Sequence, residues 1–298
     1  MSLPSPLCAR LAPSEGVKRA QSALMALLLV FLGACTGSRA GSDRPTVVAT
    51  VYPLAFLVEK IGGERVDLVD LTPAGVEPHD VELEPGQIRA LAEADLTLYL
   101  GGGFQPAVED VLPDVSGVTL DLLAPIDAGA DPHAWLDPRM FGRMAEATLG
   151  SLVDIDPEGA ASYEAAAATL ERDLDALDDD FAAGLAQCDR RTIVTSHAAF
   201  GYLAARYDLD EVALSGLDPE AEPSPQRLAE VARLAEAEGV TTIFSEELVS
   251  PEVAESLADE LGIEVAVLDP LETRPGDGDY EDAMRSNLAT LQEALDCA

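Results

Sequence analysis

Hydrophobic and polar positions change period repeatedly along this chain. TVVATVY (46–52) and RVDLVDL (65–71) read as strands, because β-branched residues favour a pleated backbone and apolar positions there recur every second residue. Between them, LAFLVEKIGG reads as a helix closed by glycine. The alternation continues with helices over 85–94 and 104–112 and strands over 95–101 and 118–123, interrupted by a polar loop at 72–85. Asp137-Pro138 opens another helix, with aspartate as N-cap and proline in the first turn. Farther on, strands are predicted over 191–196, 211–216, 240–246 and 263–269. Helices are predicted over 199–207, 224–239, 251–262 and 279–295.

One stretch departs from this rhythm. Over 156–187, Tyr163, Leu170, Leu174, Leu177, Phe181 and Leu185 recur at spacings of three, four and seven, and nothing breaks the pattern until about Gly184. This is one apolar stripe on a helix roughly 40 Å long. Such a rod suits a spine between two lobes better than a part of one sheet. The expected fold is α/β: two parallel-sheet (β/α) lobes, over 46–155 and 188–298, joined by a long rigid helix over 156–187.

The N-terminus reads differently. Lys18 and Arg19 precede ALMALLLVFL (23–32), an apolar run too short for a bilayer, which takes about 20 residues. It fits the basic and hydrophobic regions of a secretory signal over 1–34. LGAC (32–35) then has the form of a bacterial lipobox, with Cys35 as the lipidated residue and 35–45 as a small, polar tether. The expected location is therefore outside the cytoplasmic membrane, lipid-anchored to its outer face or periplasmic. Cys188 and Cys297 remain. An exported chain sits where disulfides persist, so these two are expected to pair, with two free buried thiols as the alternative. The formal charge of −37, from 18 basic and 55 acidic residues, excludes nucleic acid as a partner, since phosphate binding needs basic clusters.

The chain has three histidines. His79 lies in the loop after strand 65–71, His133 in the loop after strand 118–123, and His197 directly after strand 191–196. Open α/β sheets bind ligands beyond the carboxyl ends of their strands. All three imidazoles thus sit on the binding edges, two in the first lobe and one in the second. Asp269, in VLDPL, ends its own strand at the same edge of the second lobe. If the lobes face each other, these four converge on the inter-lobe cleft. Asp269 could instead cap the turn before Pro270, and Glu246 and Glu247 are alternative carboxylates. Three neutral imidazoles with one carboxylate or water suit tetrahedral Zn²⁺, whereas manganese prefers more oxygen. Asp131, Asp137 or Asp80 could orient a ring through its second nitrogen. Trp135, with Pro132 and Pro138, stiffens the His133 loop and walls it from water. GGGF (101–104) reads as a strand-to-helix turn, since no lysine follows to hold a phosphate.

GVEPHDVELEP (75–85), DPHAWLDP (131–138), SHAAFGYLAARYDL (196–209), IFSEELVSP (243–251), LDPLE (268–272) and DYEDAMRSNL (279–288) together resemble the zinc-type solute-binding lipoproteins of bacterial metal ABC importers, the ZnuA/TroA-like cluster. The resemblance runs from about residue 46 to the C-terminus. It implies metal held between two lobes, with His79, His133 and His197 as ligands and Asp269 at the fourth position. It further implies a monomer that delivers Zn²⁺ to a membrane permease. Manganese-type relatives usually carry a carboxylate where His197 stands, so zinc is favoured and Mn²⁺ is the alternative. The histidine-rich loop of many zinc members is missing from LLAPIDAGADPH (122–133). The competing reading, a secreted zinc hydrolase, lacks an HExxH helix, and a fourth protein ligand would leave no position open for substrate. No enzymatic activity is therefore expected.

Overall fold

A computed structural model describes residues 44–126, 129 and 131–298. Residues 1–34, expected to be a secretory signal, and Cys35 lie outside them. The first series of elements is β1 (Thr46–Ala49), α1 (Tyr52–Gly62), β2 (Asp67–Asp70), α2 (Pro85–Glu93), β3 (Leu96–Tyr99), α3 (Pro106–Val111) and β4 (Val118–Asp121). Two longer helices follow, α4 (Pro138–Ile155) and α5 (Ala160–Gly184). The second series is β5 (Thr192–Thr195), α6 (Gly201–Arg206), β6 (Asp210–Ala213), α7 (Pro225–Glu238), β7 (Thr242–Ser245), α8 (Glu252–Leu261), β8 (Glu264–Val267) and α9 (Tyr280–Leu295).

The strands form two four-stranded sheets, ordered β2-β1-β3-β4 and β6-β5-β7-β8. Every pairing is parallel. The two-lobe α/β reading stands. Each sheet reverses its winding next to its first strand, which is where such sheets open a crevice. The spine is α5, 25 residues and thus about 38 Å long. It begins later than the pattern suggests, because Asp156 caps a separate 3-10 turn, Pro157–Gly159, by accepting from the Gly159 N–H.

Period-two alternation divides the apolar residues of each strand between two layers. Val48 faces α2 and α3 in a cluster with Leu91 and Val108. Val194 and Ile243 face α7 and α8, beside Val231 and Leu257. The other faces share one continuous core that takes in Val47, Ile193, the α5 stripe from Tyr163 to Phe181, and α9 from Tyr280 to Leu295. The two sheets are therefore fixed to one common body. The N-terminal end of α9, sequentially part of the second lobe, packs on the first: the Tyr280 ring lies 4.5 Å from Phe141 and 5.1 Å from Phe56.

Charges reinforce the same joints. Asp178 on α5 is buried between Arg139 at the start of α4 and Arg206 at the end of α6, at 2.7 and 2.8 Å, and also accepts from the Tyr207 hydroxyl. Burial raises its pKa, but the bonds from Arg206, Arg139 and Tyr207 overcome this and hold it down at about 2. Cys188, just past the spine, and Cys297, just past α9, are joined by a disulfide bond. Among the described residues no helix is long and apolar enough to cross a membrane.

Candidate metal centre

Each histidine stands beyond the carboxyl end of a strand, and each is fixed by its own local chemistry. His79 lies in the long loop between β2 and α2. Its backbone N–H donates to Glu77 at 3.1 Å. The Gln105 amide donates to the carbonyls of Pro78 (3.3 Å) and Thr50 (3.0 Å), tying this loop to the sheet edge. The Phe104 ring meets the His79 ring edge-on at 4.6 Å. GGGF is indeed a turn: Gly102 and Gly103 have φ of 79° and 88°, a region open to glycine. Its further role is to bring Phe104 and Gln105 beneath His79.

His133 is fully buried. One Asp131 oxygen accepts from both its backbone N–H (3.0 Å) and its Nδ1 (2.8 Å). A 3-10 turn, Ala134–Leu136, then leads to Asp137, which caps α4 by accepting from the N–H groups of Arg139 and Met140. Trp135 is fully buried, 5.2 Å from the His133 ring. Its indole N–H donates to the Pro270 carbonyl at 2.8 Å, and the Tyr280 hydroxyl donates to the Trp135 carbonyl at 2.6 Å. The tryptophan thus does more than wall off the loop: it fastens the His133 loop to the segment after β8. His197, also fully buried, follows β5 and places Nδ1 2.7 Å from Glu246, beyond β7.

The three Nε2 atoms converge on one carboxylate oxygen, Oε1 of Glu272. The separations are 3.3 Å for His79, 3.0 Å for His133 and 3.5 Å for His197. The Nε2 atoms of His133 and His197 are 3.4 Å apart. His79, His133, His197 and Glu272 form the cluster whose donor atoms all lie within 4.8 Å of one another.

Asp269, placed fourth by the sequence, does not join them. Its Oδ1 accepts from the Leu271 N–H at 2.8 Å, while its backbone exchanges two hydrogen bonds with Asn287. Leu271 is buried with φ +59°, a left-handed conformation that costs a leucine of order 1–3 kcal/mol. This turn, held by Asp269 and by Trp135 on Pro270, carries the chain round so that Glu272 faces the rings. Asp269 is the first carboxylate after the strand, which is all that the local pattern marks. Glu272 was visible only as the last letter of LDPLE, and a side chain reversed by one αL residue leaves no periodic signal.

The electrostatics of this cluster are unbalanced without a cation. Nδ1 of His133 and of His197 each face a carboxylate, so each carries the proton, and in the neutral rings each Nε2 presents a lone pair. Those lone pairs point at the Glu272 oxygen. Burial opposes charging of His197, yet its bonds to Glu246 and Glu272 push its pKa up to about 10. The His133 pKa is also raised: burial again opposes, and the bonds to Asp131 and Glu272 prevail. Glu272 is held well below the usual carboxylate range by the three rings, against its burial. Nearby, burial and then the Glu272 charge push Glu77 up to about 8. Burial first, then the charges of Glu247, Glu272 and Glu246, push Asp269 up to about 6. Protons or a metal ion must fill the middle.

The geometry fits a small ion. A tetrahedral centre with bonds of about 2.0 Å sets its donor atoms about 3.3 Å apart; four of the six separations here run from 3.0 to 3.5 Å, and all six lie within 4.8 Å. A cleft of about 320 Å³ opens beside the cluster, lined by Glu77 and Ser196 together with Leu214, Pro223, Leu248 and Val253 among others, but none of the four donors lines it.

Comparison with known proteins adds independent findings. The family model for the zinc-uptake complex component A, periplasmic, matches residues 47–294. The chain is 33% identical over 289 residues to the zinc-binding protein AdcA of Streptococcus pyogenes serotype M1, a match covering 85% of this chain and 56% of that protein. The chain thus spans little more than half the length of the AdcA relatives. It is 29% identical over 306 residues to the high-affinity zinc uptake system protein ZnuA of Bacillus subtilis (strain 168), covering 91% of this chain and 96% of the relative. In structure it is similar to the Zn(II)-bound ZnuA-like domain of Streptococcus pneumoniae AdcA, with a TM-score of 0.75, 31% identity, and coverage of 85% and 100%.

Proposed function

Because the chain belongs to the family of periplasmic zinc-uptake complex components, we propose that it captures Zn²⁺ outside the cytoplasmic membrane and hands the ion to the permease of an ABC importer. The ligands in this reading are His79, His133, His197 and Glu272. The observation that carries it is the convergence of three Nε2 atoms on one buried carboxylate oxygen, at 3.0–3.5 Å from it. Three nitrogens and one oxygen favour zinc over manganese, which takes more oxygen donors and six-coordination. With four protein donors the ion keeps no open position for substrate, so we propose transport rather than hydrolysis. The shared core beneath both sheets supports a cleft that opens little by itself, leaving release to the permease.

The test is a zinc titration of the purified chain against a chromophoric chelator. About one ion per chain is expected, and His79→Ala, His133→Ala or His197→Ala should each weaken binding by more than the ~10–100-fold typical of losses outside the ligand set. Unchanged affinity in all three would refute the site. Anchoring through Cys35 rests on the lipobox pattern and on the likeness to the zinc-binding lipoprotein AdcA of S. pneumoniae. Incorporation of labelled fatty acid into the expressed chain should disappear in Cys35→Ser.

A further inference from the structure

The ring of His197 is held from behind. Its Nδ1 lies 2.7 Å from Oε1 of Glu246, whose side chain is 4% exposed. The hydroxyl of the neighbouring Ser196 donates to that same oxygen. The backbone here is pinned as well. Ser196 N–H donates to the Phe244 carbonyl, Ala198 N–H to the Gly216 carbonyl, and Ser215 N–H to the Ser196 carbonyl. Glu246 therefore reaches across from the end of β7 to the end of β5, within one sheet. Its contact with His197 does not depend on the other lobe.

We infer that Glu246 is a positioning residue for metal capture: it fixes the tautomer and rotation of His197 so that Nε2 is presented to the ion, and it makes the ring a stronger donor. The reasoning rests on the zinc site proposed above. An imidazole whose Nδ1–H is bound by a carboxylate has one choice of ligating nitrogen and little rotational freedom. A carboxylate acceptor also withdraws the N–H proton partway, which raises electron density at Nε2. His133 has the equivalent partner in Asp131. Each lobe thus contributes one ring already locked to a carboxylate of its own, and Glu246 supplies that function in the second lobe. It acts through His197, since the donor cluster comprises Glu272 and the three rings.

Glu246→Ala removes the acceptor; Glu246→Gln keeps a carbonyl oxygen for Nδ1–H but removes the charge. Zinc affinity should fall by ~10–100-fold in Glu246→Ala, and Glu246→Gln should recover most of that loss. Cobalt(II) substitution gives a second readout. The intense visible absorption of a tetrahedral Co²⁺ site should weaken in Glu246→Ala and return in Glu246→Gln. A role confined to folding would instead lower the unfolding temperature and leave the cobalt spectrum of the folded fraction unchanged. Equal losses in both variants would mark Glu246 as a direct ligand and overturn the inference, as would wild-type affinity with an unchanged cobalt spectrum in Glu246→Ala. If Glu246→Ala does not fold, Glu246→Asp, which keeps the charge but withdraws the oxygen from Nδ1, takes its place: weakened zinc affinity and cobalt absorption in Glu246→Asp support the inference, and wild-type values overturn it. The zinc titration of the wild-type protein tests the underlying site separately, so failure there is distinguishable from failure here.

Discussion

Glu272→Gln compared with Asp269→Asn separates the two candidate fourth ligands. In Glu272→Gln the side chain keeps its shape, but the buried negative oxygen that stands 3.0–3.5 Å from three Nε2 atoms is replaced by a neutral amide. Losing a residue outside the ligand set costs ~10–100-fold in affinity, so losing the only anionic donor should cost more than ~100-fold. At about 1.4 kcal/mol per factor of ten, this exceeds about 2.8 kcal/mol. Asp269→Asn is the control. Asparagine retains an oxygen for the Leu271 N–H, so the turn that aims Glu272 survives, and affinity should stay within ~10-fold of wild type. Both variants would be titrated with zinc against a competing chelator, with circular dichroism to verify folding. Wild-type binding in Glu272→Gln together with a collapse in Asp269→Asn would refute the geometry.

Three further outcomes are expected. The metal-free His197 pKa is raised to about 10, so below that pH zinc must displace a proton. Apparent affinity should rise about tenfold per pH unit for each proton displaced, and an indicator dye should detect proton release on binding. For the metal-free fold, the stabilisation from protonated His197 is fully present below the unfolded pKa of about 6.5 and is lost as pH rises towards 10. The gap in melting temperature between zinc-loaded and metal-free protein, followed by calorimetry, should therefore widen over that window. Asp178→Ala leaves Arg139 and Arg206 facing each other without their shared carboxylate. It should destabilise the protein by about 3 kcal/mol, the low end for a broken buried pair because both guanidinium groups reach solvent. Since the folded pKa of Asp178 is depressed to about 2, the difference from wild type, measured by urea unfolding, should shrink as pH falls from about 4 to 2. Reducing the Cys188–Cys297 bond, which spans 109 residues, should lower stability by at most about 4–5 kcal/mol and leave zinc stoichiometry unchanged, because neither sulfur belongs to the donor cluster.

Much of this protein is written in local pattern. Strand and helix periods differ so sharply that all eight strands and the spine are visible as alternation and stripe. Parallel β/α order dictates which strand ends face the binding edge, and this placed His79, His133 and His197 together before any fold was known. Three things needed the tertiary structure. The carboxylate that meets the three rings is that of Glu272, because the left-handed Leu271, held by Asp269 and by Trp135 on Pro270, reverses the chain beyond the strand. Glu246 stands behind His197 because β7 lies beside β5 in a sheet whose strands are not adjacent in order. The two lobes share a single core through α5 and α9 because side chains far apart along the chain meet only once both sheets have packed. Periodicity records which face of an element is apolar. Which oxygen of which carboxylate reaches a ring depends on backbone reversals and long-range contacts, and those carry no period to read.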